Sequence, residues 1–301
     1  MPGPTVVRLL SAGVFAFLGL AALAALLNLA TRRWLLTFGV AFGALAVFWA
    51  SLVPPVDGDW SPELTRQVSG TIEADTLTLR NVRDFEWRSD SDFTEVWTTE
   101  SYDLRSIETV DLYMSYWGGP TMAHLMTSFG FADGRYLAWS VEVRRSVGGE
   151  FSPVGDFFKS NPIAIVASEE KDVVGLRSNI QKADVYMFRL DVEPDAARRF
   201  LEEYVRQANR LTERPRFFNS VFSNCSMTVL QMAKAVGADL PFDWRLIVNG
   251  YLPDYLYRRD AMNSDLSLEA LYDLGDITEH ARGHGLTEGF SEAIRVDVPN
   301  P

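Results

Sequence analysis

The feature that most constrains this chain is the lack of acidic residues in its first 53 positions. Residues 9–30 form a run of 22 residues without a charge, and residues 34–53 form a second run of 20. Each run is long enough to cross a hydrocarbon core of about 30 Å as an α-helix. The sequence therefore predicts two membrane-spanning helices ahead of a more polar domain.

A removable signal peptide is the alternative interpretation of the first run. The run is too long for such a peptide, only Arg8 precedes it, and a second run follows directly. Only Thr31, Arg32 and Arg33 separate the two runs, which predicts a tight antiparallel hairpin. The positive-inside rule places this arginine turn in the cytoplasm, so the residues after Val53 are expected on the outer side of the membrane.

The remaining residues carry the negative charge of the chain. Three of the 28 lysine and arginine residues lie in the first 53 positions, which leaves 25 basic against all 40 acidic residues, a net charge of −15. Such a field repels phosphate backbones, so no nucleic-acid partner is expected. A single cysteine excludes an intramolecular disulfide, and no cysteine–histidine pair has zinc-ligand spacing, so neither a metal nor another cofactor is predicted.

That cysteine, Cys225, opens a predicted helix. Apolar residues recur at helical spacing after it, Gly237 stands where a C-terminal cap belongs, and Ser223 or Asn224 can cap the start. In the first turn of a helix, the helix dipole favours a thiolate, and a neighbouring histidine lowers the thiol pKa further. A lone cysteine is more often a small buried hydrophobe, so a nucleophilic role requires a partner.

His124 is the candidate partner. It lies in the first of two apolar strand patterns that flank Asp133-Gly134, a strong hairpin signal. A two-residue loop would pair His124 with Val143 and send Glu142 to the other face of the sheet. A three-residue loop or one bulge would set Glu142 directly opposite His124, where it could fix the tautomer of a catalytic base. The sequence leaves both registers open.

The chain after Pro55 predicts an α+β domain. An amphipathic helix should run from Pro194 to about Leu211, and further strand patterns occur at residues 76–80, 110–117, 162–167 and 184–190. His280 and His284 lie among glycines in a loop-rich tail and are interpreted as incidental. The predicted organisation is a transmembrane hairpin at 1–54, a thiol domain at 55–237, and a helical and loop-rich C-terminal extension at 238–301 that packs on the thiol domain.

The order of these elements resembles the Lnb N-terminal periplasmic domain family. A histidine on one strand, a glutamate on the next and a cysteine at a helix start carry the similarity, which covers residues 81–237 and, more faintly, the tail. Further matching phrases are Tyr102-Asp103-Leu104, Ser128-Phe129-Gly130-Phe131, Glu170-Lys171-Asp172-Val173, Asp184-Val185-Tyr186 and Phe217-Phe218-Asn219.

The resemblance implies a circularly permuted papain/NlpC-P60-like thiol fold, in which an antiparallel sheet packs against the cysteine helix. It implies a domain on the periplasmic side of the bacterial inner (cytoplasmic) membrane. Some relatives are lipoprotein N-acyltransferases, which move an acyl chain from a membrane phospholipid to the amino group of a lipoprotein N-terminus. Two departures are the membrane helices ahead of the domain and Ser226-Met227, which stands where threonines are common.

The expected chemistry is acyl transfer. Cys225 would attack an ester carbonyl and hold the chain as a thioester, with His124 as general base and then acid, and Glu142 would orient His124. The backbone N–H of Cys225, with Asn224 and Ser226 as supporting residues, would hold the oxyanion.

Two other functions remain open in the sequence. A cysteine peptidase or amidase of the cell envelope would require an open polar groove at Cys225, whereas an acyltransferase or lipase would require an apolar acyl channel. A non-catalytic module that binds or helps fold an exported partner would show Cys225 blocked or misaligned.

Overall fold

The computed structural model describes residues 5–28, 30–149, 152–262 and 265–300. The chain divides between Val53 and Pro54 into two compact units. The first unit contains helices α1 (Thr5–Leu26) and α2 (Arg33–Ser51). Of the predicted transmembrane hairpin, residues 1–4 and 29 lie outside the described residues.

The two helices of the first unit contact each other. Phe17 and Trp34 meet edge to face with ring centroids 5.8 Å apart. Within the described part of the chain, α2 is the one helix whose length and apolar composition suffice to cross a membrane, and residues 13–26 of α1 form a shorter apolar stretch. The connection between the helices is longer than the three residues that separate the two apolar runs, because α1 ends at Leu26 and α2 begins at Arg33.

The second unit is built on a mixed β-sheet. The strands of this unit are β1 (Ser69–Glu73), β2 (Thr76–Arg83), β3 (Glu86–Trp87), β4 (Phe93–Thr94), β5 (Trp97–Asp103), β6 (Ile107–Tyr116), β7 (Ala123–Phe131), β8 (Tyr136–Val143), β9 (Ile163–Ser168) and β10 (Asp184–Leu190). They pair in the order β1-β2-β9-β8-β7-β6-β10, β5 also pairs with β2, and β3 pairs with β4 apart from this sheet.

The expectation of a purely antiparallel sheet is wrong at one position. Strands β2 and β9 run parallel and pair through Arg83 and Ser168, whereas the other pairs are antiparallel. The reason is that β9 lies between β2 and β8. Its antiparallel pairing with β8 fixes its direction, and that direction is parallel to β2.

Helices cover both faces of the sheet. These helices are α3 (Pro153–Phe157), α4 (Glu170–Gly175), α5 (Pro194–Glu213), α6 (Cys225–Ala235), α7 (Leu252–Tyr257), α8 (Leu268–Gly275), α9 (Thr278–His284) and α10 (Phe290–Ala293). Helices α5 and α6 pack over a core that includes Phe129, Trp139 and Tyr204, whereas α4, α9 and α10 pack over Met126 and Ala138 on the other face. The predicted helices at Pro194 and Cys225 are confirmed.

The charged segment at residues 170–173 contributes two buried carboxylates, those of Glu170 and Asp172, to the interior of the domain. Asp172 is fully buried and accepts a hydrogen bond from the Arg83 guanidinium at 2.8 Å. Glu170, also buried, accepts one from Arg295 at 2.6 Å. Removing one member of such a buried pair costs about 3–5 kcal/mol, because the remaining charge has no partner. Asp172 therefore fixes α4 to β2, and Glu170 ties α4 to the C-terminal segment that follows α10.

The register of the β7–β8 hairpin is the one that brings His124 and Glu142 next to each other. Met126 pairs with Ser140, and Gly134 closes a three-residue loop with φ of 84°. Continuing this register sets His124 opposite Glu142. The ladder between the strands stops at Met126 and Ser140, so the two side chains meet where the strands have separated.

We expect Gly134→Ala to destabilise the protein by about 1–2 kcal/mol, because an L-residue is strained at that positive φ. A Cβ at Gly134 would meet no atom within 4 Å, so the loss would be a backbone effect. The matched control is Gly283→Ala in α9, where a Cβ also meets nothing and helix propensity should improve by about 1 kcal/mol. Thermal unfolding of the full chain in detergent would measure both, and equal effects would contradict the role of Gly134.

Candidate active site

Cys225 is the first residue of α6 and is 8% exposed. Asn224 caps this helix: its Oδ1 accepts from the Met227 N–H at 2.8 Å, and its Nδ2 donates to the Ser220 carbonyl at 3.0 Å. The backbone N–H of Cys225 has no acceptor within the helix because of its position in the first turn. The Asn224 side chain thus shapes the helix start, and its role as an oxyanion donor stays a prediction.

His124 lies at the start of β7. Its Nε2 is 2.7 Å from the Ser140 hydroxyl and 3.2 Å from Glu142 Oε1. The Ser140 hydroxyl donates its single proton to Glu142 at 2.7 Å, so it accepts from Nε2, which must carry a proton. Nδ1 is then left for Cys225, to which His124 is hydrogen-bonded. The structure thus brings the three predicted residues together.

Glu142 is held in its charged form. Its carboxylate accepts a hydrogen bond from Arg177 at 2.7 Å. Burial alone would raise the pKa of Glu142, but the charges of Arg177 and His124 outweigh burial and hold this pKa well below its ordinary value. The site therefore contains a fixed negative charge on the side of His124 away from the thiol.

The fixed charge determines how His124 and Cys225 ionise. Burial opposes a charged imidazole, yet Glu142 raises the pKa of His124 to about 9. Burial also opposes a thiolate, but the hydrogen bond and charge of His124 lower the pKa of Cys225 below its ordinary value, and the Leu125 N–H donates to the sulfur as well. Glu142 and His124 therefore shift the balance from the neutral thiol and imidazole towards a Cys225 thiolate beside a His124 imidazolium.

Asn249 completes the site from outside the elements predicted to form it. It is 7% exposed, and its Oδ1 accepts from the Ala123 N–H at 3.1 Å. Its Nδ2 donates to the Ala123 carbonyl at 2.6 Å and to the Ser226 hydroxyl at 2.8 Å, and lies 4.0 Å from the Cys225 sulfur. One amide thus ties the residue before His124 to the residue after Cys225, and it places Ser226 beside the thiol.

Sequence reasoning missed three residues of the site. Ser140 could have been found, because it precedes Glu142 by two residues and so shares its face of the strand. Arg177 lies in a π-helical segment, Leu176–Ile180, that follows α4 and shows no motif. Asn249 lies in a short 3-10 turn of the tail, and no periodic pattern marks it.

The thiol lies in a cavity of about 600 Å³ with a mixed lining. Around the cysteine, histidine and glutamate are three basic side chains, Arg145, Arg177 and Lys182, and three aromatic ones, Tyr116, Trp117 and Phe218. A second, apolar cavity of about 260 Å³ runs along α6. Its lining includes Leu125, whose N–H reaches the sulfur, and Val229, one helical turn after Cys225.

The other two histidines, His280 and His284, do not line the cavity that contains Cys225. His280 contacts Asp297 at 2.9 Å, and His284 contacts the Glu288 carbonyl at 2.9 Å. Within the described residues, no group of three histidine, cysteine or acidic side chains could hold a metal ion.

Comparison with known proteins places this site in a family. A family model of the Lnb N-terminal periplasmic domain matches residues 93–250, more than half of the chain. The chain belongs to this family. The Lnb domain contains His124, Glu142, Cys225 and Asn249, so the resemblance drawn from the sequence is confirmed. Searches of curated proteins and of solved structures returned no match.

Membership in the family also bears on location. The Lnb domain is periplasmic by description, and α2 precedes it as a helix able to cross a membrane. Together these two findings indicate a membrane-anchored protein with a periplasmic domain.

We expect Cys225 in the Lnb domain to ionise, and therefore to react, with a pKa below the value of about 8.5 of a free thiol. Iodoacetamide alkylation followed by mass spectrometry from pH 5 to 10 gives the midpoint, and no second cysteine interferes. Glu142→Gln should move the midpoint upwards, because the imidazolium loses the negative charge that stabilises it.

The matched control is Glu202→Gln, which removes a carboxylate paired with an arginine on α5. It should leave the midpoint unchanged. A wild-type midpoint at or above that of a free thiol, or one that Glu142→Gln does not move, would contradict the ion pair.

Proposed function

We propose that this protein is a membrane-anchored cysteine acyltransferase that N-acylates lipoproteins with an acyl chain from a membrane phospholipid. The observation that carries the proposal is the buried Cys225 thiol, hydrogen-bonded to a histidine whose other nitrogen is bound by Ser140 and Glu142. A chain with an apolar membrane helix gives such a thiol access to lipid esters.

The first half-reaction forms a thioester. The Cys225 thiolate attacks the ester carbonyl carbon, and the tetrahedral oxyanion forms near the start of α6, where the Cys225 N–H and the helix dipole stabilise it. His124 gives its Nδ1 proton to the departing glycerol oxygen. A carbon–sulfur bond forms, the carbon–oxygen bond breaks, and a lysophospholipid leaves.

The second half-reaction transfers the chain to nitrogen. The neutral amino group of the lipoprotein N-terminus attacks the thioester carbon, and His124 takes the proton that the amine loses. The carbon–sulfur bond breaks and the Cys225 thiolate leaves, which restores the ion pair. Glu142 remains ionised throughout and stabilises the imidazolium.

The apolar cavity along α6 supports an acyl substrate. Two residues of its lining are close to the sulfur, because the Leu125 N–H donates to it and Val229 follows Cys225 by one helical turn. An acyl chain buried in this cavity would gain about 0.8 kcal/mol per CH₂ group. In the proposed permuted papain/NlpC-P60-like fold, the histidine strand β7 precedes the cysteine helix α6. We place the Arg32–Arg33 turn in the cytoplasm and the domain on the periplasmic side of the inner membrane.

The polar side of the thiol cavity supports a second candidate, a cysteine peptidase or amidase. Arg145, Arg177 and Lys182 line that side, and basic side chains of this kind bind the carboxylates of peptides. The same thiol–histidine pair would attack an amide carbonyl. The alignment of Cys225 with His124 favours either enzyme over a non-catalytic binding or folding module.

We expect the full chain in phospholipid vesicles to accumulate a fatty acyl group on Cys225 that hydroxylamine releases. Cys225→Ala should form no adduct, and His124→Ala should slow its formation by about 10²–10⁴-fold, because the acid and base are lost. Glu142→Gln should slow it less. The matched control is His280→Ala, which removes an exposed histidine outside the thiol cavity. Intact-mass spectrometry measures how fast the acyl adduct forms in each variant.

An amine-bearing lipopeptide should then discharge the adduct and gain an amide. Discharge to water alone would make the protein a lipase. If no adduct forms while peptides are cleaved only with Cys225 present, the peptidase candidate replaces the acyltransferase.

A further inference from the structure

A third cavity of about 490 Å³ adjoins the thiol cavity and differs from it in chemistry. The two share Tyr116, Gly118 and Asp184 in their linings. The described lining of this third cavity contains four tyrosines and two aspartates and no lysine or arginine. We call the following set the tyrosine cage: Tyr116, Tyr186, Tyr251, Tyr272, Asp184 and Asp254.

Three rings of the tyrosine cage stand nearly at right angles to their neighbours. Tyr116 and Tyr186 have centroids 5.5 Å apart and an interplanar angle of 88°. Tyr186 and Tyr272 are 5.6 Å apart at 75°. Aromatic rings around a shared space attract cations through their negative faces, and this is how proteins recognise quaternary ammonium groups.

Asp254 adds a formal negative charge to these rings. The Tyr272 hydroxyl, a neutral group, donates a hydrogen bond to Asp254 Oδ2 at 3.2 Å. The charge of Asp254 contributes to raising the pKa of Arg245, but the Arg245 guanidinium is bound to Asp243 at 2.7 Å. The carboxylate is therefore available to a positively charged ligand.

The opposite charge lies on the thiol side of the junction between the cavities. Lys182 lines the thiol cavity, where Arg177 is already bound to Glu142, and Asp184, two residues after Lys182, lines both cavities. A ligand that spans the junction would meet the Lys182 ammonium at one end and the tyrosine cage at the other. That pattern matches a molecule with adjacent negative and positive charges.

We propose that the tyrosine cage binds the ammonium end of a zwitterionic phospholipid headgroup, choline or ethanolamine, with the phosphate towards Lys182. The proposal rests on the proposed function, in which a phospholipid is the acyl donor. The α-amino group of an acceptor carries the same charge, but it must lose its proton before it attacks the thioester. A site built from rings and a carboxylate holds an amine protonated, so the non-reacting headgroup is the better occupant.

The test measures lipid binding without turnover. The full chain carrying Cys225→Ala, in a maltoside detergent, is titrated with dihexanoyl phosphatidylcholine and with dihexanoyl phosphatidylglycerol, which lacks the cation. We expect the choline lipid to bind about tenfold more tightly, and both Asp254→Asn and Tyr186→Leu to remove most of this difference without weakening the glycerol lipid. The matched control, Asp239→Asn, changes an exposed aspartate outside the cage and should have no effect.

Equal binding of the two lipids would overturn the proposal, as would an equal loss of both in Asp254→Asn. Tyr272→Phe keeps the ring and removes the bond to Asp254, so a retained preference in this variant with a loss in Tyr186→Leu would support the ring contribution. Unfolding temperatures confirm that each variant is folded.

Two further results separate this proposal from others. If Asp254→Asn weakens an α-amino peptide and leaves the choline lipid unchanged, the cage belongs to the acceptor and the headgroup assignment is wrong. If the choline preference holds but the wild-type chain forms no thioester, the acyltransferase proposal fails and the cage remains a lipid site.

Discussion

A second negative charge that faces a buried histidine stabilises its imidazolium form beside a thiolate, and here Glu142 supplies that charge. Its contact with His124 depends on the register of the β7–β8 hairpin, and its ionisation depends on Arg177. The position of the thiol depends on Asn249, which ties the start of β7 to the start of α6. Strand register, helix capping and a single amide thus act together to favour the ionised pair over the neutral thiol and imidazole.

The sequence was sufficient for the main elements of this site and insufficient for the contacts that join them. Helix periodicity and capping located Cys225, and alternation with Asp133-Gly134 located the hairpin. The register remained open because one extra loop residue, which depends on backbone geometry at Gly134, decides the face of Glu142. Asn249 reaches the site through tertiary packing of an irregular segment, and no local pattern encodes such a contact. The parallel pairing of β2 with β9 was missed for a similar reason, because it joins strands distant in the chain.

The three cavities suggest how one thiol could serve a lipid reaction. The thiol cavity contains Cys225, and the apolar cavity follows α6. The tyrosine cage adjoins the thiol cavity, and Tyr116 and Asp184 line both. Ester, acyl chain and headgroup are the three chemically different parts of a phospholipid. We infer that each has its own region around the nucleophile.

The most direct test of the account is the protonation state of His124 in the resting protein. Nitrogen NMR of histidine-labelled full chain at pH 7.5, with His280 and His284 replaced by glutamine to leave one signal, reads that state. We expect a charged imidazolium, because Glu142 raises the pKa of His124 to about 9, and a shift towards the neutral form in Glu142→Gln. A neutral imidazole in the wild-type background at this pH would contradict the ion pair on which the proposed chemistry depends.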